Sequence, residues 1–287
     1  MTLDELIYNR LSTNTQVTQS LARFAGKPAL FYQSPPGDAA DGWGTATQYP
    51  RVDYTVEMQA DPERHTSGQL VINIWSSDDG VMPEGIAGAV RTAMTDVFFS
   101  TGDIFSLTWQ RSDAFEAQAV TVKGAGIVGI TIIFDIWGFP SQQTTAPSPI
   151  AAINSQIKTQ YPNARVIGID VLPPQFMPTQ ANPVIYFRTT SQTLERQTGR
   201  VRWYNAEIAG HIIAPDINDR AQITKTIVEG INRRLPMADG SPAFLLSISA
   251  DSGNNHMSQG QIRIRTEYGM LTPEAQTVKL MHPHISQ

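Results

Sequence analysis

The stretch QLVINIWSSDDGVMPEGIAGAVRTAMTDVFF, residues 69–99, decides the fold of this chain. Every second residue of LVINIW, residues 70–75, is Leu or Ile, and Gly, Asp and Pro follow, which predicts a strand ended by a turn. From Ile86 to Phe98, apolar residues recur every three or four positions and predict an amphipathic helix. Because its apolar side must be buried, we expect this helix to lie across the sheet that contains the strand.

The same succession of elements recurs 133 residues later. Pro50 opens a predicted strand in YPRVDYTV, and Pro183 opens one in NPVIYFRT. Residues 126–137 fall on 259–270 at this step, and the helical core positions also match: Val90, Met94 and Phe98 fall on Ile223, Ile227 and Ile231. Two α+β domains can share an order of elements by chance. We interpret the repeat as a tandem duplication, because the step holds over four elements.

The repeat predicts an α+β fold of two tandem, similar two-layer domains. Each is expected to be a largely antiparallel sheet packed against a central amphipathic helix and an N-terminal helix. We place the first domain at residues 1–140, a Ser-, Gln-, Thr- and Pro-rich linker at 141–149, the second domain at 150–272 and an extended tail at 273–287. With 287 residues, each domain can bury a core without disulfides or metal.

In the first half, a helix is expected at residues 3–11, with Thr2 as its N-cap. A strand at 29–32 precedes a polar loop at 34–47, and Trp43 in the middle of that loop favours a contact role. Two further polar segments are predicted to connect strands: 61–68 and 112–119.

In the second half, a helix is expected at residues 150–160 and a strand at 165–171. A polar segment, 190–199, is predicted to connect strands at 183–190 and 201–213. This segment is the counterpart of the first hairpin connection.

The second central helix is predicted at residues 218–235, with Asp216 or Asn218 as its cap and Pro236 as its stop. Arg233 and Arg234 then lie in its last turn, where the helix dipole explains basic residues. No phosphate-binding role is needed for them.

The last strands of the two halves differ in their faces. Residues 126–137 are apolar on both faces, so we expect this strand to be covered on both sides. In residues 261–270, Ile and Thr alternate with Arg and Glu. One face of this strand should therefore meet solvent or a partner.

Composition excludes several classes of function. There is no cysteine, so thiol catalysis, zinc thiolate sites and disulfide frameworks are ruled out. A net charge of −5, with 16% charged residues, gives no basic face for nucleic acid and suits a surface that DNA passes without binding. The start of the chain lacks the features of a signal peptide. The most apolar run, 125–139, is interrupted by Asp135 and is shorter than the roughly 20 residues of a membrane span.

No catalytic, cofactor-binding or metal-binding residues are predicted. Gly124, Gly126 and Gly129 match the spacing of a dinucleotide fingerprint, but strand-forming residues follow where a helix is required. We interpret these glycines as a bulge or a close approach of backbones. Asp78 and Asp79 fit a turn, and the region of Asp251 lacks the glutamate of a calcium loop.

The histidines also give no combined site. Two are expected in loops, one in a strand and two in the tail, and they are His65, His256, His211, His282 and His284. A shared metal site would require the fold to bring these distant segments together. Solvated or hydrogen-bonded histidines are the simpler interpretation.

The first half resembles the tail terminator, or tail completion, proteins of long-tailed bacteriophages. The resemblance rests on the order of elements, with the Pro-led strand YPRVDYTVEM, then LVINIWSSD, the helix GIAGAVRTAM and the final strand GITIIFDIWG. It covers roughly residues 1–140 directly, and the second half only through the repeat. The duplication is its chief departure from the usual single-domain pattern.

The resemblance implies a structural virion protein, assembled in the host cytoplasm and without enzymatic activity. Such a protein forms a ring on the end of the tail tube, stops its polymerisation and joins it to the head connector. The duplication leaves two copy numbers open: six chains, or three chains that present six similar domains. The expected partners are further copies, the tube protein and the connector, with DNA passing through and no membrane involved.

Two alternatives stay open at this point. The chain could be another duplicated tail or neck component, such as a tube or adaptor subunit. It could also be a ligand-binding module, in which Trp43, Trp75 and Trp109 line a pocket.

Overall fold

The computed structural model describes residues 1–44, 47–120, 124–142 and 145–272. The tail predicted at 273–287 therefore lies outside the described residues. The helices are α1 (Leu3–Thr13), α2 (Thr15–Thr18), α3 (Pro83–Met94), α4 (Pro149–Gln160) and α5 (Ile217–Gly230). The strands are β1 (Arg23–Phe24), β2 (Lys27–Pro28), β3 (Leu30–Tyr32), β4 (Arg51–Asp61), β5 (His65–Ser77), β6 (Phe98–Ser100), β7 (Ile104–Val120), β8 (Gly126–Gly138), β9 (Arg165–Val166), β10 (Gln175–Phe176), β11 (Val184–Thr198), β12 (Val201–Ile213), β13 (Arg234–Pro236), β14 (Pro242–Ala250) and β15 (Ile262–Leu271).

Two large sheets share one plan. Their strand orders are β10-β6-β7-β8-β5-β4-β3 and β13-β14-β15-β12-β11-β9. In each sheet a short strand runs parallel to the first long strand, as β3 does to β4 and β9 to β11, and the remaining neighbours are antiparallel. Apart from β10, the two orders match strand for strand. The predicted α+β fold with two similar sheets and helices is thus confirmed.

The helix α3 packs on the first sheet through the residues that its periodicity predicted. Ile86, Val90 and Met94 are buried. They share one core with alternate residues of β5 and β8: Leu70, Ile72, Ile74, Ile130, Ile132, Phe134 and Ile136. Fully burying such a side chain contributes roughly 1.5–3 kcal/mol, so this layer is a main source of stability.

The predicted N-terminal helix and its cap are confirmed. The backbone N–H of Thr2 donates to the Glu5 carboxylate at 2.9 Å, which satisfies a donor at the helix start. The hydroxyl of Tyr54 on β4 donates to the carbonyl oxygen of Asp4 at 2.8 Å and ties the helix to the sheet. The helix continues to Thr13, slightly beyond the predicted end.

The second sheet has its own core under α4 and α5. Buried residues of these helices pack on alternate residues of the long strands: Ile153, Ile157, Ile227, Ile185, Phe187, Ile208, Ile262 and Ile264. As predicted, Asp216 caps α5, and its carboxylate accepts a hydrogen bond from the backbone N–H of Asn218 at 2.6 Å. The two halves thus build equivalent layers from different residues.

Three segments predicted as polar connections are strands instead. Residues 61–68 include the start of β5, 112–119 lie within β7, and 190–198 lie within β11. The prediction was wrong because it sought a buried side-chain face, whereas backbone groups in a hairpin can pair whether or not the side chains are buried. The hairpin of β7 with β8 and the hairpin of β11 with β12 therefore extend beyond the cores of their sheets.

The second central helix is shorter than predicted. It ends at Gly230, and Ile231 has extended backbone angles. A Cβ at Gly230 would come within 2.5 Å of the side-chain nitrogen of Gln160, so the neighbouring helix approaches closely here. Pro236 does not stop a helix but ends β13, which also contains Arg234. The helix-dipole interpretation of the two arginines is therefore wrong.

The strand predicted at 165–171 is reduced to β9, Arg165–Val166. The chain then runs to β10, which pairs with β6 of the first sheet. Because the second half supplies a strand to the first sheet, sheet membership does not follow the predicted linker. The boundaries at 140 and 150 stay a prediction.

The two final strands differ in the expected direction. In β15, Ile262 and Ile264 are buried, while Arg263 and Arg265 are exposed. The face of β8 opposite α3 is covered only in part: Ile133 is buried, but Thr131, Asp135 and Trp137 are half-exposed. Double cover, as expected from its apolar sequence, is thus incomplete.

Candidate assembly surfaces

Both large sheets carry long strand edges that no described strand covers. In the first sheet, β3 pairs with residues 52–54 of β4, and β6 pairs with 104–106 of β7. The Leu107 carbonyl oxygen accepts from the Asp96 N–H at 2.8 Å, and the remaining lengths, 55–61 and 108–120, have an outer edge that no described strand covers. Since β4 and β7 run in opposite directions and each is covered only at its start, the two open edges lie at opposite ends of the sheet.

The second sheet repeats this arrangement. β9 pairs with residues 184–185 of β11, and β13 pairs with 242–244 of β14. Residues 190–198 and 246–250 are left with an open edge within the described part of the chain. Rows of unpaired backbone N–H and C=O groups favour pairing with another chain, so these edges are candidate contact surfaces.

The hairpin of β11 and β12 forms an arm outside both cores. We define the β11–β12 arm as residues 190–203, of which 190–200 are all exposed. Leu194 is exposed, and Arg196 pairs with Glu267 at 2.6 Å while its guanidinium lies 4.9 Å from the centre of the Trp203 ring. The arm is therefore an ordered ladder that offers both faces to a partner.

A second exposed arm is formed by β7. We define the β7 arm as residues 109–117, and residues 109–114 are exposed on both faces. Trp109 lies under the guanidinium of Arg91 at 4.9 Å, and Arg111 pairs with Asp113 at 2.8 Å. Each domain thus extends at least one strand into solvent.

Register shifts interrupt three of the four open strands: β7 at Trp109/Arg111, β11 at Thr189/Ser191 and β14 at Leu245/Ser247. A bulge increases the local twist and breaks the row of hydrogen-bonding groups. These edges are therefore restricted to partners of matching shape, which limits unspecific association.

The two sheets meet at a buried junction. Its core consists of apolar residues from both halves: Phe98, Phe139, Ile167, Leu172, Val184, Tyr186, Ile213 and Met257. The ring of Phe139 lies 5.2 Å from that of Phe98 and 5.1 Å from that of Tyr186. Pairing of β10 with β6 adds backbone hydrogen bonds at the rim.

Arg64 is the polar centre of this junction. It follows β4, is buried, and donates to the carbonyl oxygen of Gly138 in the first half at 3.1 Å. It also donates to the carbonyl oxygens of Met257 and, at 3.3 Å, Ser258 in the second half. Burial and the nearby Arg188 lower the pKa of Arg64 to about 10, so it remains charged at neutral pH.

A series of polar contacts continues from Arg188, the neighbour of Arg64. Arg188 forms an ion pair with Glu63 at 2.9 Å and donates from Nε to Nε2 of His211 at 3.3 Å. Nδ1 of His211 lies 2.8 Å from the carbonyl oxygen of His256, and Nε2 of His256 lies 3.2 Å from Asp96 of the first half. Burial, and then the neighbouring arginines, hold the pKa of His211 well below its usual range, which keeps its ring neutral.

The junction joins different surfaces of the two similar domains. The first half contributes β6, the β4–β5 turn and Asp96, whereas the second half contributes the connection after β9 and the loop at 251–260. These are not counterparts in the repeated fold. The contact is therefore heterologous, or head to tail.

The three tryptophans do not line one pocket. Trp43 is buried, 5.4 Å from Phe24, and its Nε1 donates to the carbonyl oxygen of Pro36 at 3.1 Å. Trp75 packs against Phe115, and Trp109 lies under a helix arginine in the β7 arm. The expectation of a binding pocket is not met, and Trp43 anchors its loop instead of contacting a partner.

Gly126 and Gly129 of the glycine motif lie in β8, as the sequence context indicated, and Gly124 precedes that strand with a φ of 83°. A Cβ at Gly129 would lie 2.4 Å from the carbonyl oxygen of Ile74, so adjacent strands approach closely here. Asp78 lies in a turn, where its backbone N–H donates to the Gly126 carbonyl oxygen at 3.0 Å. Asp251 accepts a hydrogen bond from the Gly253 N–H in another turn. These positions have local structural roles.

His211 and His256 lie close together at the junction, where Nδ1 of His211 is 2.8 Å from the His256 carbonyl oxygen. His65 begins β5, and His282 and His284 lie outside the described residues. No group of three or more metal-binding side chains occurs in the residues that the structure describes. Within the same residues, no helix has the length and apolar character to cross a membrane.

No protein-family model matches the chain, and no curated protein is similar to it. A chain in the solved structure "Virion of native gene transfer agent (GTA) particle" is similar to it with a TM-score of 0.33 and 16% sequence identity. The match covers 47% of this chain and 93% of that chain. At this TM-score, the similarity carries no argument about function.

Proposed function

We propose that this chain is a structural protein of a phage-like virion that forms a ring as the terminator of a tail tube, without enzymatic activity. The observation that carries the proposal is the head-to-tail contact between two similar domains in one chain. This contact uses one surface of the first domain and a different surface of the second domain. The chain therefore keeps one unused surface of each kind, and further copies can add until the rotation closes a ring.

The open edges and the two arms supply the surfaces that a ring needs. An arm whose backbone is already paired on one side loses little conformational freedom when a neighbour pairs with the other side. We assign lateral contacts to the open edges, and contacts with the tube and the head connector to the two ends of the ring. The net charge of −5 suits a protein that lets DNA pass.

The position in the virion follows from the resemblance of the first half to tail terminator proteins. The strand, turn and helix that carry this resemblance, residues 69–99, form the layer of α3 on β5. A location in the tail or neck of a virion is accordingly part of the proposal.

Light scattering across a concentration series tests the ring, followed by negative-stain images of the largest species. We expect a closed particle of three or six chains with a central hole. Leu194→Glu in the β11–β12 arm, in which a contact residue becomes charged and the cores are untouched, should lower the fraction of chains in the ring. A chain that stays monomeric at every concentration, alone and with tube protein, would contradict the proposal.

A further inference from the structure

The strand β10 shows how one domain of this fold contacts the next. It follows β9 through Pro173 and Pro174 and adds to the free side of β6, with Gln175 opposite Phe99. The backbone N–H of Ser100 donates to the Pro174 carbonyl oxygen at 3.1 Å. A proline-led connection of the second domain thus covers an edge of the first.

The repeated fold contains a counterpart of the covered edge. β13 corresponds to β6, because each pairs antiparallel with the first residues of the next long strand: Ser100 lies opposite Ile104, and Pro236 opposite Pro242. The central residues, Phe99 and Leu235, are both buried. β6 is covered by β10, but β13 ends its sheet, with no described strand beyond it.

The fold also contains a counterpart of the donor. Pro35 and Pro36 follow β3, as Pro173 and Pro174 follow β9. Behind them, residues 37–41 have the sequence Gly-Asp-Ala-Ala-Asp and are exposed apart from the half-buried Ala40. We call this segment the GDAAD loop. The buried Trp43 holds its base in place.

The charges of the two surfaces are complementary. Arg233 and Arg234 are exposed at β13, and Asp38 and Asp41 are exposed in the GDAAD loop. Within the described residues, none of these four side chains forms a salt bridge. Arg234 also presents its guanidinium 5.9 Å from the centre of the Phe244 ring.

We propose that the GDAAD loop of one copy docks on β13 of the next copy, with Asp38 and Asp41 paired to Arg233 and Arg234. The inference rests on the proposed ring and assigns one further lateral contact in it, beside those of the open edges. In this contact a proline-led segment of one copy covers a sheet edge of the next copy, as β10 covers the edge of β6 within one copy.

One difference sets the form of the contact. Pro236 has no N–H at the position where Ser100 donates to the second half. The loop also keeps a turn of its own, since the Ala40 N–H donates to the Gly37 carbonyl oxygen at 2.9 Å. The contact between copies therefore depends more on the two charge pairs than on a strand ladder, and it weakens with salt.

Charge reversal tests this assignment. Arg233→Glu with Arg234→Glu, and separately Asp38→Arg with Asp41→Arg, should each lower the ring fraction at least tenfold at a fixed concentration. All four changes in one chain should restore the ring, because the complementary pairs are re-formed with opposite sign. Thermal melting of each variant, expected within a few degrees of wild type, excludes misfolding as the cause.

Cross-linking provides the second measurement. Because the sequence has no cysteine, a variant with Asp38→Cys and Arg234→Cys carries only the introduced pair. Oxidation should give a ladder of covalent multimers, and each single variant should give no product beyond a dimer. If the wild-type chain forms rings, the charge-reversed variants keep the same mass and the cysteine pair gives no ladder, this contact is overturned but the ring stays intact. A chain that stays monomeric and gives no ladder overturns both.

Discussion

His211 is a buried base that must stay neutral, and this makes the stability of the junction depend on pH. Its pKa in the folded chain lies well below the value of about 6.5 expected for the unfolded chain. Below pH 6.5 the unfolded chain therefore binds a proton that the folded chain does not. The free energy of unfolding should fall with decreasing pH by up to about 1.4 kcal/mol per unit.

Urea unfolding at pH 7.5, 6.5 and 5.5 measures this slope. The control is His211→Gln, whose amide oxygen can accept from Arg188 and whose amide N–H₂ can donate to the His256 carbonyl oxygen. This variant should have a flatter dependence on pH than the wild-type chain. Equal slopes for the two chains would contradict the role given to His211.

Arg64 supplies a buried charge and three hydrogen bonds at the junction. In Arg64→Met the carbonyl oxygens of Gly138 and Met257 lose the donor that Arg64 provides, whereas Ser258 keeps the one from Arg188. We expect the free energy of unfolding to fall by about 3 kcal/mol. Arg111→Met, which removes an exposed ion pair, is the matched control and should cost less than about 1 kcal/mol. Chemical denaturation of both variants checks the difference, and similar losses would refute it.

The junction residues could not be found from the sequence. Arg64 lies in a polar turn, and Arg188 follows a run of buried residues. Arg188 is itself buried within β11, and neither arginine belongs to a spaced motif. Arg64 contacts Met257 and Arg188 contacts Glu63, and each contact joins segments more than a hundred residues apart, so their role depends on a domain arrangement that local patterns do not encode.

At the start of α5, the Asp216 carboxylate binds the backbone N–H of Asn218. Asp216→Ala leaves that helix end without its cap and should lower the free energy of unfolding by about 1 kcal/mol. Asp216→Ser keeps an acceptor at the cap and should retain most of the stability. Thermal unfolding of the two variants distinguishes a capping role from a general effect of charge.

The β11–β12 arm should matter for assembly and not for folding. Replacing residues 195–203 with Asn-Gly joins Leu194 to Tyr204, which lie opposite each other, through a two-residue hairpin turn. Since the deleted residues are outside both cores, we expect the melting temperature to change by only a few degrees. The ring fraction should drop strongly in light scattering. A large decrease in the melting temperature would instead show that the arm contributes to the stability of the fold.

Elements with a buried face were predictable, and elements without one were not. The alternation in β5 and the helical period of α3 identified the central layer, because burial imposes a period on the sequence. The polar strands of the two arms carry no such period. The end of α5 was misplaced because the apolar residues of β13 continue its pattern after Gly230.

The duplicated fold gives each chain two similar units and one head-to-tail contact that is already made. The two units differ at the hairpin that follows their central helix. The loop at 251–260 of the second unit folds into the junction, whereas its counterpart in the first unit includes the strand of the β7 arm. The same relation between domains can then operate within a chain and between chains. That equivalence is what a ring of identical angular steps requires.

Together with the six domains that the resemblance to tail terminator proteins implies, this equivalence predicts three chains in the ring. If the contact within a chain and the contact between chains turn by the same angle, three chains present six domains around one axis. Native mass spectrometry should then give three times the 31.5-kDa mass of the chain, and negative-stain averages should show six lobes with threefold symmetry. Six chains in two stacked layers would contradict the prediction. In that case the junction would run along the ring axis, and only the first domains would make the lateral contact.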